Sequence, residues 1–194
     1  MEAEESLELA SLEQWERWLQ SNHSQSTGVW LILNKKTART KPAGVVFNYS
    51  DILEAAISYG WIDARRKSAS STTFLQRFTP RGKRSIWSKI NCQKANVLIA
   101  NGRMHPAGLA EVERAKQDGR WARAYDGPAT SGVPDDLAAE LEKKPKARAF
   151  FDTLDSQNRY AILFRLQTAK KAETRARRLA TFVEMLEQHR KIYS

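Results

Sequence analysis

Apolar residues along this chain fall into mixed patterns in the first half and into helical spacing almost throughout the second. Leu12, Trp15 and Leu19 share one helical face behind Ser11-Leu12-Glu13-Gln14, which reads as a capping box. Thr27 to Leu33 (TGVWLIL) is a short run of β-formers entered through a glycine and predicts a buried strand. Ile52, Ala55, Ala56 and Tyr59 follow the i, i+3, i+4, i+7 rule, with Ser50 or Asp51 as the N-cap and Gly60 as the stop. Trp61 to Ala64 and Thr73 to Thr79 read as further strands. In the latter, Phe74, Gln76 and Phe78 face one way and Leu75, Arg77 and Thr79 the other. Lys35 to Gly44, with Pro42, reads as a loop, Lys67 to Thr72 as a turn, and Pro80 and Gly82 as breakers.

From Ser88 onward the spacing is helical. Asn91, Ala95 and Leu98 share a face that Gly102 ends, and Leu109, Val112 and Ala115 share another that Gly119 ends. Leu137 with Leu141, then Ala147 with Phe150, Phe151 and Leu154, predict two short helices. A helix capped by Ser156 carries Ile162, Leu163, Phe164 and Leu166, and a last one carries Leu179, Phe182, Val183 and Leu186. Strands followed by a run of helices indicate an α+β fold, its small sheet drawn from about 29–34, 61–66 and 73–79. Tyr125 to Pro134 (YDGPATSGVP) is the composition break long enough for a linker. Residues 1–126 are therefore expected to form the α+β domain and 127–194 a helical part packed on it.

Charge sharpens this picture. The 194 residues carry 32 Lys and Arg against 22 Asp and Glu, a net +10, and the surplus sits in the middle. Between Trp61 and Ile90, eight basic residues (Arg65, Arg66, Lys67, Arg77, Arg81, Lys83, Arg84, Lys89) face only Asp63, with Trp61, Phe74, Phe78 and Trp87 interleaved. Such a segment attracts anions, and basic residues mixed with aromatics are the material of single-strand nucleic-acid grooves. It is equally the composition of a solvated face over a core. A second basic run, Lys170 to Arg178, offers either a nucleic-acid surface or a solvated helix face.

Other chemistry is thin. There is no GxxxxGK[ST], no GxGxxG after a strand and no GxSxG, which removes the usual phosphate-loop and nucleophile-elbow enzymes. One cysteine, Cys92, and three scattered histidines give no paired metal-ligand spacing, so no metal and no cofactor are expected. Cys92 reads as core rather than as a nucleophile, and the single thiol fits a reducing compartment. No apolar run is long enough to cross a bilayer, and the acidic start, Met1-Glu2-Ala3-Glu4-Glu5, is unlike a secretion signal. The expectation is a soluble cytoplasmic protein with the nucleus left open by its charge.

Read together and in order, several fragments form a recognisable string. They are Gly60-Trp61-Ile62-Asp63, Arg77-Phe78-Thr79-Pro80-Arg81, Ser85-x-Trp87-Ser88-x-x-Asn91, Gly102-Arg103-Met104 with Gly108, and Gly119-Arg120-Trp121. Val133-Pro134-x-Asp136-Leu137, Phe150-Phe151-x-x-Leu154 and Thr174-Arg175-x-Arg177-Arg178 continue it. This string resembles the YdeI/OmpD-associated (OmdA, bacteriocin-protection) family from about Trp15 to Leu186. The resemblance implies a link to an outer-membrane porin and to tolerance of bacteriocins or cationic peptides, and it carries over no catalytic residue. Ser68 to Thr72 departs from the pattern, being Ser-rich where relatives carry an acid.

These observations favour a non-catalytic binding module for an anionic small molecule or phosphate-containing ligand, with an indirect role in tolerance. Its site would draw on Trp61, Asp63, Arg77, Arg81, Ser85, Trp87, Asn91 and Arg103: arginines for the anion, Asp63 orienting one of them, the indoles as walls. A helix N-terminus near Ser88 would add backbone donors. Two alternatives stand beside it. One is an enzyme on a small anionic substrate with Asp63 as general base; the other is a nonspecific nucleic-acid binder using 61–90 and 170–178. No membrane insertion is expected, and the sequence is silent on oligomeric state.

Overall fold

The computed structural model describes residues 6–35 and 47–193; the predicted loop lies, beyond Lys35, outside the described residues, as does the acidic start. The chain forms two compact units, Met1–Trp87 with Asn91–Arg123, and Ser88–Ile90 with Ala124–Ser194.

The first unit is α+β. Its strands are β1 (Ser6–Glu8), β2 (Val29–Asn34), β3 (Trp61–Ser68) and β4 (Thr73–Pro80), in the sheet order β1-β2-β4-β3. β1 runs parallel to β2, and the other pairs are antiparallel. The predicted alternation in β4 holds: Phe74, Gln76 and Phe78 are all buried. One extra residue bulges β3 between Asp63 and Arg66, and the buried Gln76 amide donates to the Arg65 carbonyl there (3.1 Å).

Helices α1 (Leu12–Asn22), α2 (Tyr49–Ser58), α3 (Lys89–Ala100, whose first two residues group with the second unit) and α4 (Pro106–Gln117) complete it. Trp15 of α1 is fully buried, and its Nε1 donates to the Ile52 carbonyl of α2 (3.0 Å). Trp18 stacks on Trp15 and meets the edge of Trp61, so three indoles join α1 to β3.

Several helix starts differ from expectation. α2 is capped by Asn48, whose Oδ1 accepts from Ser50 and Asp51, while Asp51 accepts from the Asn48 amide; Asp51 is the reciprocal partner in the box, not the cap. In α1, Ser11 accepts from Gln14, but Gln14 Oε1 takes the amide of Ala10. Leu109 is exposed on α4; the buried face is Gly108, Glu111, Val112 and Ala115. Gly108 explains the shift. A Cβ there would stand 2.2 Å from the Ser58 carbonyl oxygen, so the helix lies on α2 through bare backbone.

The second unit has four helices: α5 (Asp135–Lys143), α6 (Pro145–Asp152), α7 (Ser156–Gln167) and α8 (Ala172–Glu187). Leu137, Leu141, Ala147, Phe151, Ile162, Leu166, Val183 and Leu186 are buried together as its core. α7 is capped by Asp155, accepting from Asn158, rather than by Ser156. The Tyr125–Pro134 stretch is tied down: the Asp126 amide donates to Gln167, Tyr160 Oη to the Asp126 carbonyl, and Gln167 to Ser131.

Candidate functional site

The loop from Arg81 to Trp87 has almost no regular structure, and arginines satisfy its carbonyls. Arg81 donates to Ile86 O (3.1 Å), Arg120 to Ser85 O (2.9 Å) and Arg114 to Arg81 O (3.0 Å). Arg120, its side chain only 4% exposed, is itself held by Glu111 (3.0 Å) and Asp118 (2.7 Å). Glu111, likewise buried, also receives Arg114. The Arg120 guanidinium is held on the charged side by these two carboxylates, although burial alone opposes its charge. Ser85 shapes the turn, its Oγ accepting from the Gly82 amide.

Arg81 sits over the Trp87 ring, 3.6 Å from ring centre to guanidinium carbon, and Trp87 packs on Trp121. Its backbone amide donates to the Gly60 carbonyl (2.9 Å), which sets Arg81 beside Trp61. Gly60 (φ +75°) makes this corner possible, ending α2 directly ahead of β3. The outcome is a depression of about 390 Å³ lined by residues that include His23, Tyr59, Trp61, Arg81, Glu111 and Arg114.

The structure therefore gathers part of the expected set. Trp61 and Arg81 line the depression; Ser85 and Trp87 support it from the loop. Both indoles are about 1% exposed, a correction to their role as open walls; the Trp61 Nε1 donates to the His23 carbonyl. Asp63 accepts from Tyr49 Oη (2.6 Å) on α2, where an arginine was expected. Burial and this carboxylate push the Tyr49 hydroxyl pKa well above its ordinary value. Asp63 is paired opposite Phe78, so Arg77, the next residue on β4, projects from the other face, its guanidinium lying over the bare Gly28. Asn91 is buried on α3.

Arg103 sits elsewhere again. It is exposed where α3 ends: the Gly102 amide donates to Ile99 O and the Arg103 amide to Leu98 O, with Gly102 at φ +65°. Arg103 lines a separate cleft of about 550 Å³ together with Glu13, Glu16, Arg17 and Glu54. Between the two hollows, Tyr59, His105 and His23 form a ring cluster. Burial, reinforced by His23, lowers the His105 pKa, and its Nδ1 accepts from the Ala107 amide at the head of α4. Cys92 is buried, with its thiol pushed up to about 11. Among the described residues, no group of three or more His, Cys, Asp or Glu could hold a metal ion, and no helix is long and apolar enough to cross a membrane.

Sequence reasoning missed Glu111, Arg114 and Arg120. Glu111 and Arg114 were visible as an i, i+3 charge pair on a predicted helix, and Arg120 stands in the quoted Gly119-Arg120-Trp121 fragment.

Residues 7–111 match the model of a domain of unknown function, DUF8412, which is more than half of the chain. The chain belongs to that family. Residues 130–189 match the family described as Bacteriocin-protection, YdeI or OmpD-Associated, which agrees with the C-terminal part of the resemblance read from the sequence; the fragments from Gly60 to Trp121 lie outside this match. This second match falls within the helical unit, whereas Trp61, Arg81 and Trp87 lie inside the first. No curated protein and no solved structure matches the chain.

Here too arginines close a polar frame. Arg175 of α8 grips Asp136 at the head of α5 through Nε and Nη2 (2.7 and 2.8 Å) and donates to Leu166 O. Arg178 donates to Arg165 O. Of the Lys170–Arg178 run, Arg175 and Arg178 are thus engaged within the unit, while Lys170, Lys171 and Arg177 are exposed. The Arg175 guanidinium holds the Asp136 carboxyl below the usual range.

Proposed function

We propose that the protein is a binding module for a small anionic ligand, phosphate or a phosphate-bearing metabolite, seated in the first unit's depression at Trp61, Arg81 and Arg114. The supporting observation is a half-exposed arginine, Arg114, on a concavity backed by a second, Arg81, which is itself only 5% exposed. Arg81 is held over Trp87 and bonded to the Ile86 carbonyl, so little conformational freedom remains to be lost on binding. Arg114, its side chain 42% exposed, is the group a ligand meets first, and guanidinium geometry suits a phosphate.

A small ligand is favoured over a nucleic acid. Stacking platforms need open rings, but Phe74 and Trp30 are buried beneath Arg66 (3.6 Å) and Lys67 (4.4 Å). Tolerance of bacteriocins, in the words of the family description, would then follow indirectly from ligand occupancy. At +10 the chain repels cationic peptides rather than capturing them.

Calorimetric titration at low salt with inorganic phosphate, AMP and a short single-stranded DNA tests the reading. Salt-sensitive binding of phosphate or AMP, weakened by Arg114→Gln, is expected. Silence from all three, or binding indifferent to Arg114→Gln, would end it.

A further inference from the structure

The second unit holds a cleft of different character, and we propose that it binds an amphiphilic monocarboxylate: an apolar body bearing one carboxylate. The cleft measures about 480 Å³, within the range of small-molecule sites, and is lined by Pro128, Ser156, Gln157, Tyr160, Ala161, Phe164, Arg165 and Tyr193. Gln157, Tyr160 with Ala161, and Phe164 with Arg165 form one stripe along α7. From Gln157 to Arg165 it spans about 12 Å at the helical rise.

The walls are built rather than incidental. Tyr160 is locked by its hydroxyl bond to the Asp126 carbonyl (2.9 Å), and Phe164 by an edge contact with Tyr125. Tyr193 is about 41% exposed, yet its backbone is anchored by a buried residue. Asn158 accepts from the amides of Ile192 (3.0 Å) and Tyr193 (2.9 Å) and donates to Tyr193 O (3.2 Å). An almost fully buried amide thus fixes the backbone that carries this exposed ring, and the ring lines the cleft.

Polarity sets the orientation. Arg165 is the charged residue in the lining, which has no carboxylate. Two of its five N–H donors are used among the described residues, by Ala161 O (3.0 Å) and Tyr193 Oη (3.3 Å). The opposite end adjoins Asp155, the acidic cap of α7. A carboxylate therefore belongs at Arg165, and the apolar body along Tyr160 and Phe164. This site is independent of the depression in the first unit.

The test uses octanoate and 4-phenylbutyrate as probes, with 1-octanol and acetate as controls, followed by calorimetry and ligand-observed NMR. At least one of the two acids should bind better than 1-octanol and acetate. Arg165→Gln should weaken it at least about tenfold, the loss of one charge-assisted contact, while leaving phosphate binding unchanged. Tyr193→Ala, at an exposed position, should weaken it as well and keeps the test open if Arg165→Gln lowers stability. The proposal is overturned if neither acid binds better than 1-octanol and acetate, or if binding persists unchanged in either variant.

Discussion

Replacing Glu111 by Ala removes a carboxylate shared by Arg114 and Arg120 and probes how the site is held. Glu111 and Arg120 have 6% and 4% of their side chains exposed, so water does little to screen the orphaned guanidinium. Breaking a buried ion pair from one side costs about 3–5 kcal/mol. Arg120 keeps Asp118 and the Ser85 carbonyl, which puts the expected loss at the lower end, about 3 kcal/mol. For a unit of this size that is a fall in Tm of about 10 °C. All six tryptophans lie in the first unit, so indole fluorescence follows its unfolding separately from the helical unit. Adding Arg120→Met should recover part of the loss, because the stranded charge goes with it. A loss under about 1 kcal/mol in Glu111→Ala, or simple additivity in the double variant, would refute the buried-pair reasoning.

Further outcomes follow from the same geometry. Asp136, held below the usual carboxylate range by Arg175, contributes stability that is present above its unfolded pKa and lost as pH falls through its folded one. Acid melts of the second unit by circular dichroism should show this loss below about pH 4, and Asp136→Asn should abolish it. Exposure of this pair is about a third, so the contribution is modest. His105, whose pKa is lowered by burial, also favours the higher pH side. Indole fluorescence should report first-unit destabilisation as pH drops below about 6.5, absent in His105→Asn. Cys92, with its thiol pushed up to about 11, should react with a disulfide reagent at neutral pH only as fast as the unit opens, and rapidly in denaturant. Gly108→Ala should cost about 3 kcal/mol or more through its clash with Ser58. Gly102→Ala, with open space around it but φ +65°, should cost about 1–2 kcal/mol; equal losses at both positions would contradict this ranking.

The fold was legible where a period was long and clean. The β4 alternation and the faces of α3 and α8 needed only spacing, because burial on one side leaves the residue pattern no freedom. β1 has three residues, too few for any period, and its pairing with β2 is a long-range fact. Leu109 misled because apolarity stood in for orientation; the residue that sets the α4 face is Gly108, which contributes no side chain at all. The site was half legible for a related reason. Arg81 and Trp61 were singled out by composition, whereas Arg114 and Glu111 arrive from α4, over a distance that no local pattern encodes. Arg77 and Asp63 were grouped by proximity in sequence, but the β4 pleat and pairing register send them to opposite faces.

Charge was the harder feature to read, and the reason is structural. A net +10 invites a search for an anionic partner, yet many of these guanidiniums are occupied with the chain's own carbonyls. In the first unit Arg81, Arg114 and Arg120 satisfy Ile86, Arg81 and Ser85, a loop whose backbone has few ladder partners. In the second, Arg175 and Arg178 of α8 reach Leu166 and Arg165, carbonyls in the last turn of α7. A helix end has spare acceptor capacity, and its dipole favours a positive charge. Arginine serves both sites because it remains charged when buried and offers donors in several directions. Lysine could not reproduce this, so Arg→Lys at Arg120 or Arg175 should behave as a loss rather than a conservative change. Guanidiniums that line hollows are a smaller set, among them Arg17 and Arg103 in one cleft of the first unit, Arg114 in the other and Arg165 in the second unit.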